Sequence, residues 1–197
     1  MRDACAARKG HAQFGVSYTW ACRLAEKYAG DIGVVTSLML NLIRLNPGQA
    51  IYLPAGNLHA YLEGAGMEIM ASSDNVLRGG LTVKHVDVPE LMLVLDFAPM
   101  DPKPVAIQTP GPGRERYVTD AREFCLERVS LQRELALSRP RPGPEVWLCL
   151  SGSAQLAAGR ETLALGQGAS CFVPATSADL ALRGNAVLYR ALVGALA

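Results

Sequence analysis

The sequence predicts a mainly β protein built as antiparallel sandwiches or barrels, opened by one short helical segment. Three observations carry that expectation. Short runs rich in Leu, Ile, Val and aromatic residues alternate with Gly, Pro and Asn from Val34 to the end, the pattern of strands joined by tight turns. A block near Leu45 recurs near Leu165, so the β pattern comes in two copies. Half of the 197 residues are hydrophobic and 19% are charged, which excludes intrinsic disorder and leaves enough apolar material for a core.

The helical segment comes first. Residues 17–29 (SYTWACRLAEKYA) place Trp20, Leu24 and Tyr28 at helical spacing, and Gly30-Asp31 follows as a stop. Strands are expected next at LNLIRL, AIYLPAG and LHAYLEG, with Pro47-Gly48 and Asn57 at the turns. Residues 99–114, rich in Pro and Gly, read as a linker. Beyond it the expected strands are FCLERVSL, EVWLCLSG, SAQLAAG, ETLALGQG, ASCFVPA, ADLALRG and AVLYRALV.

A shift of 120 residues aligns Leu45 with Leu165, Gly48 with Gly168, Pro54-Ala55 with Pro174-Ala175, and Leu62 and Gly64 with Leu182 and Gly184. The glycines permit the positive φ of tight turns and the prolines mark strand ends. This layout of strand, Gly turn, strand, Pro-Ala turn, strand resembles the cupin barrel, a jelly-roll-like double sheet. His59 in the first copy falls on Asp179 in the second, so a metal held by the first copy would lack that ligand in the second.

Charge and hydropathy narrow the function classes. Nineteen Lys and Arg against 18 Asp and Glu give a net charge of +1, which offers no electrostatic footprint for nucleic acid. No apolar run approaches the ~18 residues of a membrane span, and the N-terminus has no apolar stretch behind its charges. Five scattered cysteines without a C-x-x-C pair read as buried reduced thiols rather than disulfides or a zinc–thiolate site. The expectation is a soluble, cytosolic globular protein with neither nucleic-acid nor membrane partners.

The densest group of reactive side chains lies between His59 and Asp87. His59 follows a Pro-Ala-Gly-Asn turn and opens an alternating run that sets His59, Tyr61 and Glu63 on one face. A catalytic zinc needs about three protein ligands, and neither His11 nor His85 has ligand spacing to His59, so on spacing alone a structural histidine and a metal ligand both remain open. Arg78, beside Gly79-Gly80, offers a planar fork for an oxyanion and Lys84 a point charge; both also fit as surface cations. Walker-type, G-x-S-x-G and G-x-G-x-x-G motifs are absent, leaving nucleotide chemistry and serine hydrolysis without support.

The run H-A-Y-L-x-G-x-x-x-E-x-M-A-x-S-D-N-V-L-R-x-G-L-T-x-K, 26 residues from His59 to Lys84, resembles the signature of type I mannose-6-phosphate isomerase (phosphomannose isomerase), a zinc enzyme of the cupin superfamily. The likeness extends from Y-A-G-D-I-G at Tyr28 through L-x-L-N-L-x-x-L-x-P-G-Q-A to D-V-P-E-L, and more weakly into the C-terminal strands. Two departures stand out: Gly79 replaces the family's Ala and Val83 its Pro.

The resemblance implies a zinc-dependent interconversion of mannose 6-phosphate and fructose 6-phosphate, with His59 as a zinc ligand and Arg78 as the active-site arginine. Tyr61, Asp74 and Lys84 match residues lining the sugar-phosphate pocket. It implies residues 1–30 as the end of a helical domain, 31–98 as part of the catalytic cupin barrel and 115–197 as a C-terminal cupin-like domain. The family's other zinc ligands, a Gln and a His in Q-x-H and a Glu, lie in an N-terminal part of which this sequence has no Q-x-H. The expectation is therefore a C-terminal half, with a separate N-terminal half as its partner. An isomerase completed by that half, a non-catalytic sugar-phosphate-binding cupin pair and a structural module all remain open.

Overall fold

The computed structural model describes residues 1–73, 76–138 and 143–194. The chain divides into two compact units, one of Met1–Ala65 with Ser73–Pro104 and one of Gly66–Ser72 with the chain from Val105 onward. Among the described residues no helix is long and apolar enough to cross a membrane.

The first unit holds four helices: α1 (Arg2–Ala6), α2 (Gly15–Lys27), α3 (Gly33–Thr36) and α4 (Val88–Val94). α2 is the helix expected from the spacing of Trp20, Leu24 and Tyr28; it ends where Tyr28 N–H donates to the Leu24 carbonyl at 2.8 Å and Gly30 takes φ +81°. Cys5 of α1, Ala21, Cys22 and Leu24 of α2 and Val34 of α3 make a small core, on which Tyr18, Tyr28, Leu38, Leu62 and Leu81 pack. α4 was not foreseen, although its signals are plain in the sequence. The Asp87 carboxylate accepts the Glu90 N–H at 3.1 Å and a Pro occupies the first turn.

Between Thr36 and Val88 the described residues contain no strand, where LNLIRL, AIYLPAG and LHAYLEG were expected. The turns are nevertheless in place. Bends at 47–48 and 55–56 match those at 167–168 and 175–176 of the second copy, and Gly48 and Gly168 take φ +87° and +81°. The first copy thus has the path of the second without its ladder.

The second unit is a single eight-stranded antiparallel sheet, folded on itself: β1 (Ile107–Gly111), β2 (Arg114–Tyr117), β3 (Cys125–Leu131), β4 (Glu134–Leu137), β5 (Glu145–Ala158), β6 (Glu161–Gly166), β7 (Ser170–Val173) and β8 (Leu180–Leu192). β1 and β2 fall within or against residues 99–114, so the linker is shorter than its composition implied. Pro110 is tolerated because β1 is an edge strand whose register slips between Gln108 and Gly111.

β5 and β8 form the spine. Each joins two expected strands into one long strand that runs through both layers. Residues 186–192 of β8 pair with β3 and with the start of β5, which also pairs β7. Residues 180–183 pair with β4 and with the end of β5, which also pairs β6. Gly152 (φ +77°) and Gly184 (φ +141°) sit at the corner. A Cβ on either would strike backbone of the opposite strand, the Asn185 carbonyl or the Ser153 carbonyl. The glycines that read as strand ends instead let two strands cross closely while changing sheets.

A bulge between Cys149 and Ser151 completes the corner. It shifts the buried positions of β5 from Glu145, Trp147 and Cys149 to Ala154 and Leu156, so the same side stays inward past the bend. Trp147, Cys149 and Leu188 from one layer and Leu156, Leu165 and Leu182 from the other close into a single core. All five cysteines are unpaired thiols.

At one end of this core lies a buried charge network. Glu127 is fully buried and Glu145 and Arg190 nearly so. Glu127 accepts from Arg114 at 2.9 Å, from Arg116 at 2.6 Å and from Arg190 at 3.2 Å. Glu145 accepts from Arg190 at 2.6 Å and 2.8 Å and from the Trp147 indole N–H at 2.9 Å. Burial alone would push the Glu127 carboxyl up, but hydrogen bonds from Arg116 and Arg114 outweigh it and hold the group below the ordinary 4.5.

A carboxylate depressed in the folded state stabilises above its unfolded pKa and loses that contribution as pH falls through its folded value. The second unit is therefore expected to weaken as pH drops below about 4.5, the ordinary carboxyl value, and Glu127→Gln to flatten that slope. Urea unfolding followed by Trp147 fluorescence, in a Trp20→Phe background, checks this; stability rising on acidification would contradict it.

Candidate functional site

The residues singled out in the sequence lie in the first unit, on an irregular path held by a few polar contacts. His59 follows the turn at Gly56 (φ +79°), whose carbonyl accepts the Asp96 N–H at 3.0 Å. Asn57 and Asn41 fix the same neighbourhood by donating to Met100, at its sulfur (3.7 Å) and its carbonyl (2.7 Å).

His59 is exposed, and its Nδ1 lies 2.9 Å from the Asn57 carbonyl. A carbonyl only accepts, so Nδ1 carries the proton and the Nε2 lone pair is left outward. That tautomer, oriented by a backbone carbonyl, is the one in which imidazole ligates a metal through Nε2. Tyr61 stands edge-on to the His59 ring, centroids 6.0 Å apart at 71°. The expected alternation, with His59 and Tyr61 on one side, is present without a ladder.

Arg78 is exposed, and the residues flanking the two candidates pack together. A Cβ on Gly79 would run into the Cδ1 of Leu58. Leu58 precedes His59 and Gly79 follows Arg78, so this contact brings the two backbones side by side. Glycine in place of the family's alanine is matched by a leucine that fills the space.

The segment after Arg78 is fixed by Asp31. One carboxylate oxygen accepts the N–H of Gly33, the first residue of α3, at 2.7 Å, and the other accepts the Leu81 N–H at 2.8 Å. The fit is close: Gly80 takes φ +126° and Leu81 φ +54°, unusual for a side-chain-bearing residue. A Cβ on Gly33 or Gly80 would lie 3.0 Å from an Asp31 oxygen. A charged acceptor holding two backbone donors offsets the strain at Leu81. Lys84 follows, exposed, its N–H donating to the Thr82 hydroxyl at 3.1 Å, while Val83 points fully into solvent.

His59, Tyr61, Arg78 and Lys84 therefore lie in one unit, and the contact of Leu58 with Gly79 joins the His59 and Arg78 segments. Asp74 lies outside the described residues. Asp31, Gly33 and Leu58 do the positioning and went unassigned in the sequence, though Asp31 stands in the quoted Y-A-G-D-I-G. Among the described residues no three His, Cys, Asp or Glu side chains gather as a metal site. With one correctly oriented nitrogen and no companions, these residues do not by themselves fit a zinc ion.

Comparison with known proteins follows the same division. Residues 114–193 match the family described as "Mannose-6-phosphate isomerase, cupin domain". Over 176 residues the chain is 35% identical to mannose-6-phosphate isomerase 2 of Arabidopsis thaliana, covering 89% of this chain and 40% of that one. It is 35% identical over 170 residues to mannose-6-phosphate isomerase of Escherichia coli, covering 85% and 43%. The apo crystal structure of mannose 6-phosphate isomerase from Salmonella typhimurium superposes with a TM-score of 0.82 at 29% identity, covering 98% of this chain and 50% of that one. The chain thus spans about two-fifths of the length of these curated relatives; it shares its mainly β fold with the Salmonella structure and carries a cupin domain over residues 114–193.

Asp31→Ala removes both acceptors at once and leaves Leu81 strained. Losing charged hydrogen bonds worth about 1.5–3 kcal/mol each should speed tryptic cleavage at Arg78 and Lys84 by about tenfold or more, with the second unit uncut. Unchanged cleavage would show that the segment is held by something other than Asp31.

Proposed function

We propose that this chain, similar to mannose-6-phosphate isomerases over most of its length, forms part of an isomerase that interconverts mannose 6-phosphate and fructose 6-phosphate. In this reading it works with a second segment that brings the remaining zinc ligands. The observation that carries the proposal is the pairing of an outward His59 Nε2 with an adjacent Arg78 segment clamped by Asp31.

Arg78 is always charged and presents N–H groups to solvent. Its part is to stabilise the negative charge that develops on oxygen as a proton moves between C1 and C2 of the sugar. Lys84, Tyr61 and Asp74 would hold the sugar phosphate. Zinc, as the Lewis acid of such an enzyme, would be held only when other donors join His59. The exposed Met39, Leu40, Leu42, Ile43 and Leu45, in a stretch without strand partners, support a partner segment that pairs with it. Unpaired thiols support a reducing compartment, and we place the chain in the cytosol.

A second reading, a non-catalytic cupin that binds a sugar phosphate or serves structurally, is favoured by the want of zinc companions to His59 among the described residues. One experiment separates them: zinc content and isomerase activity of the purified chain, alone and co-expressed with the N-terminal half of the E. coli relative. Alone, the chain is expected to hold well under one zinc after dialysis and to be inactive. Together, activity should appear, and Arg78→Ala should cut kcat by about 10²–10³ with a much smaller change in KM. A drop confined to KM would make Arg78 a phosphate clamp. Inactivity in the joined protein would favour the second reading.

A further inference from the structure

The buried charge network of the second unit borders a cavity, and the two together have the chemistry of a binding site. Arg114, Arg116 and Arg190 all line a depression of about 670 Å³, and among the described residues no carboxylate does. That volume lies within the range of about 300–1,000 Å³ in which small-molecule sites fall. Glu127 and Glu145 sit behind the arginines, in the core. The network thus turns its negative charges inward and its positive charges toward the cavity.

Counting charges shows why this is more than a structural ion pair. Among the described residues three guanidinium groups meet two carboxylates, one positive charge in excess. Glu127 accepts three hydrogen bonds from Arg114 and one from Arg190 besides the two from Arg116.

The Arg116 side chain is 40% exposed against 15% for Arg114 and 5% for Arg190, so the outermost member faces the opening. Arg114 and Arg116 spend their Nε and Nη2 donors on Glu127. Their Nη1 donors have no acceptor among the described residues. Cys125, also on the wall, is pushed up by burial and stays a neutral thiol that cancels no charge. Gln108, Thr119 and Ser138 add neutral hydrogen-bonding groups, and Phe124 and Leu137 an apolar surface.

We propose that the second unit carries its own site for a small phosphorylated molecule, its phosphate held by the free donors of Arg114 and Arg116 and its body by the cavity wall. Preset, rigid guanidinium forks bind a phosphate through paired N–H···O bonds. This site is distinct in sequence from that of Arg78 and does not depend on the isomerase reading.

The test is calorimetry on the full chain with inorganic phosphate, a hexose 6-phosphate and the neutral hexose. Phosphate and hexose phosphate should bind saturably, more weakly as salt rises, and the neutral hexose not at all. Arg116→Gln should weaken binding by at least about tenfold. Arg116→Lys, which keeps the charge and loses the fork, should weaken it too. Arg183→Gln should leave it unchanged. A readout on the unaltered chain guards against misfolded variants: bound phosphate should slow labelling of Cys125, located by mass spectrometry. Absence of saturable phosphate binding, binding indifferent to both Arg116 variants, or labelling of Cys125 unaffected by phosphate would each overturn the proposal.

Discussion

An extended segment becomes a strand only when a neighbour takes up its outward N–H and C=O groups, and the contrast between the two halves of this chain follows from that requirement. In the second unit, β5 and β8 answer each other along nearly their whole length and pass from one layer to the other at Gly152 and Gly184. Every other strand but β1 and β2 attaches to that pair directly. In the first unit the same turn spacing recurs with no spine to receive it.

Order in the first unit comes instead from side chains. The Asp31 carboxylate binds two backbone segments fifty residues apart, Asn41 and Asn57 reach to Met100, and Leu58 occupies the space above Gly79. These contacts join the segments that carry His59 and Arg78 in a unit with only a small apolar core. The two units solve the handling of charge differently as well. Arg114, Arg116 and Arg190 of the second unit are tied to buried carboxylates, whereas Arg78 and Lys84 are exposed, free to meet an anion.

Much of this was legible in the sequence, because period and punctuation survive translation into backbone. Trp20, Leu24 and Tyr28 gave the helix, and the 120-residue repeat gave turns that recur with matching glycine φ angles. What could not be read was the meaning of a glycine inside a strand. Gly152 and Gly184 look like strand ends, and only the opposing carbonyls show that they are corners. Ladder formation was equally hidden, since LNLIRL carries strand propensity whether or not a partner exists. At the candidate site, His59 and Arg78 stood out by type, while Asp31 did not: nothing local marks an aspartate whose partner lies fifty residues on. The arginines of β2 escaped notice for the same reason, because R-E-R does not say which side faces the core.

The central claim is that residues 39–63 follow a strand path without a ladder, whereas β3, β5 and β8 form a paired core. Hydrogen–deuterium exchange of the chain alone tests it most directly, since protection reports the free energy of opening each amide. Exchange across 39–63 is expected to approach unprotected rates, with amides of Cys125–Leu131, Glu145–Ala158 and Leu180–Leu192 slower by orders of magnitude. Equal protection in the two regions, in a monodisperse monomer, would contradict the account and show that the first copy builds a ladder of its own.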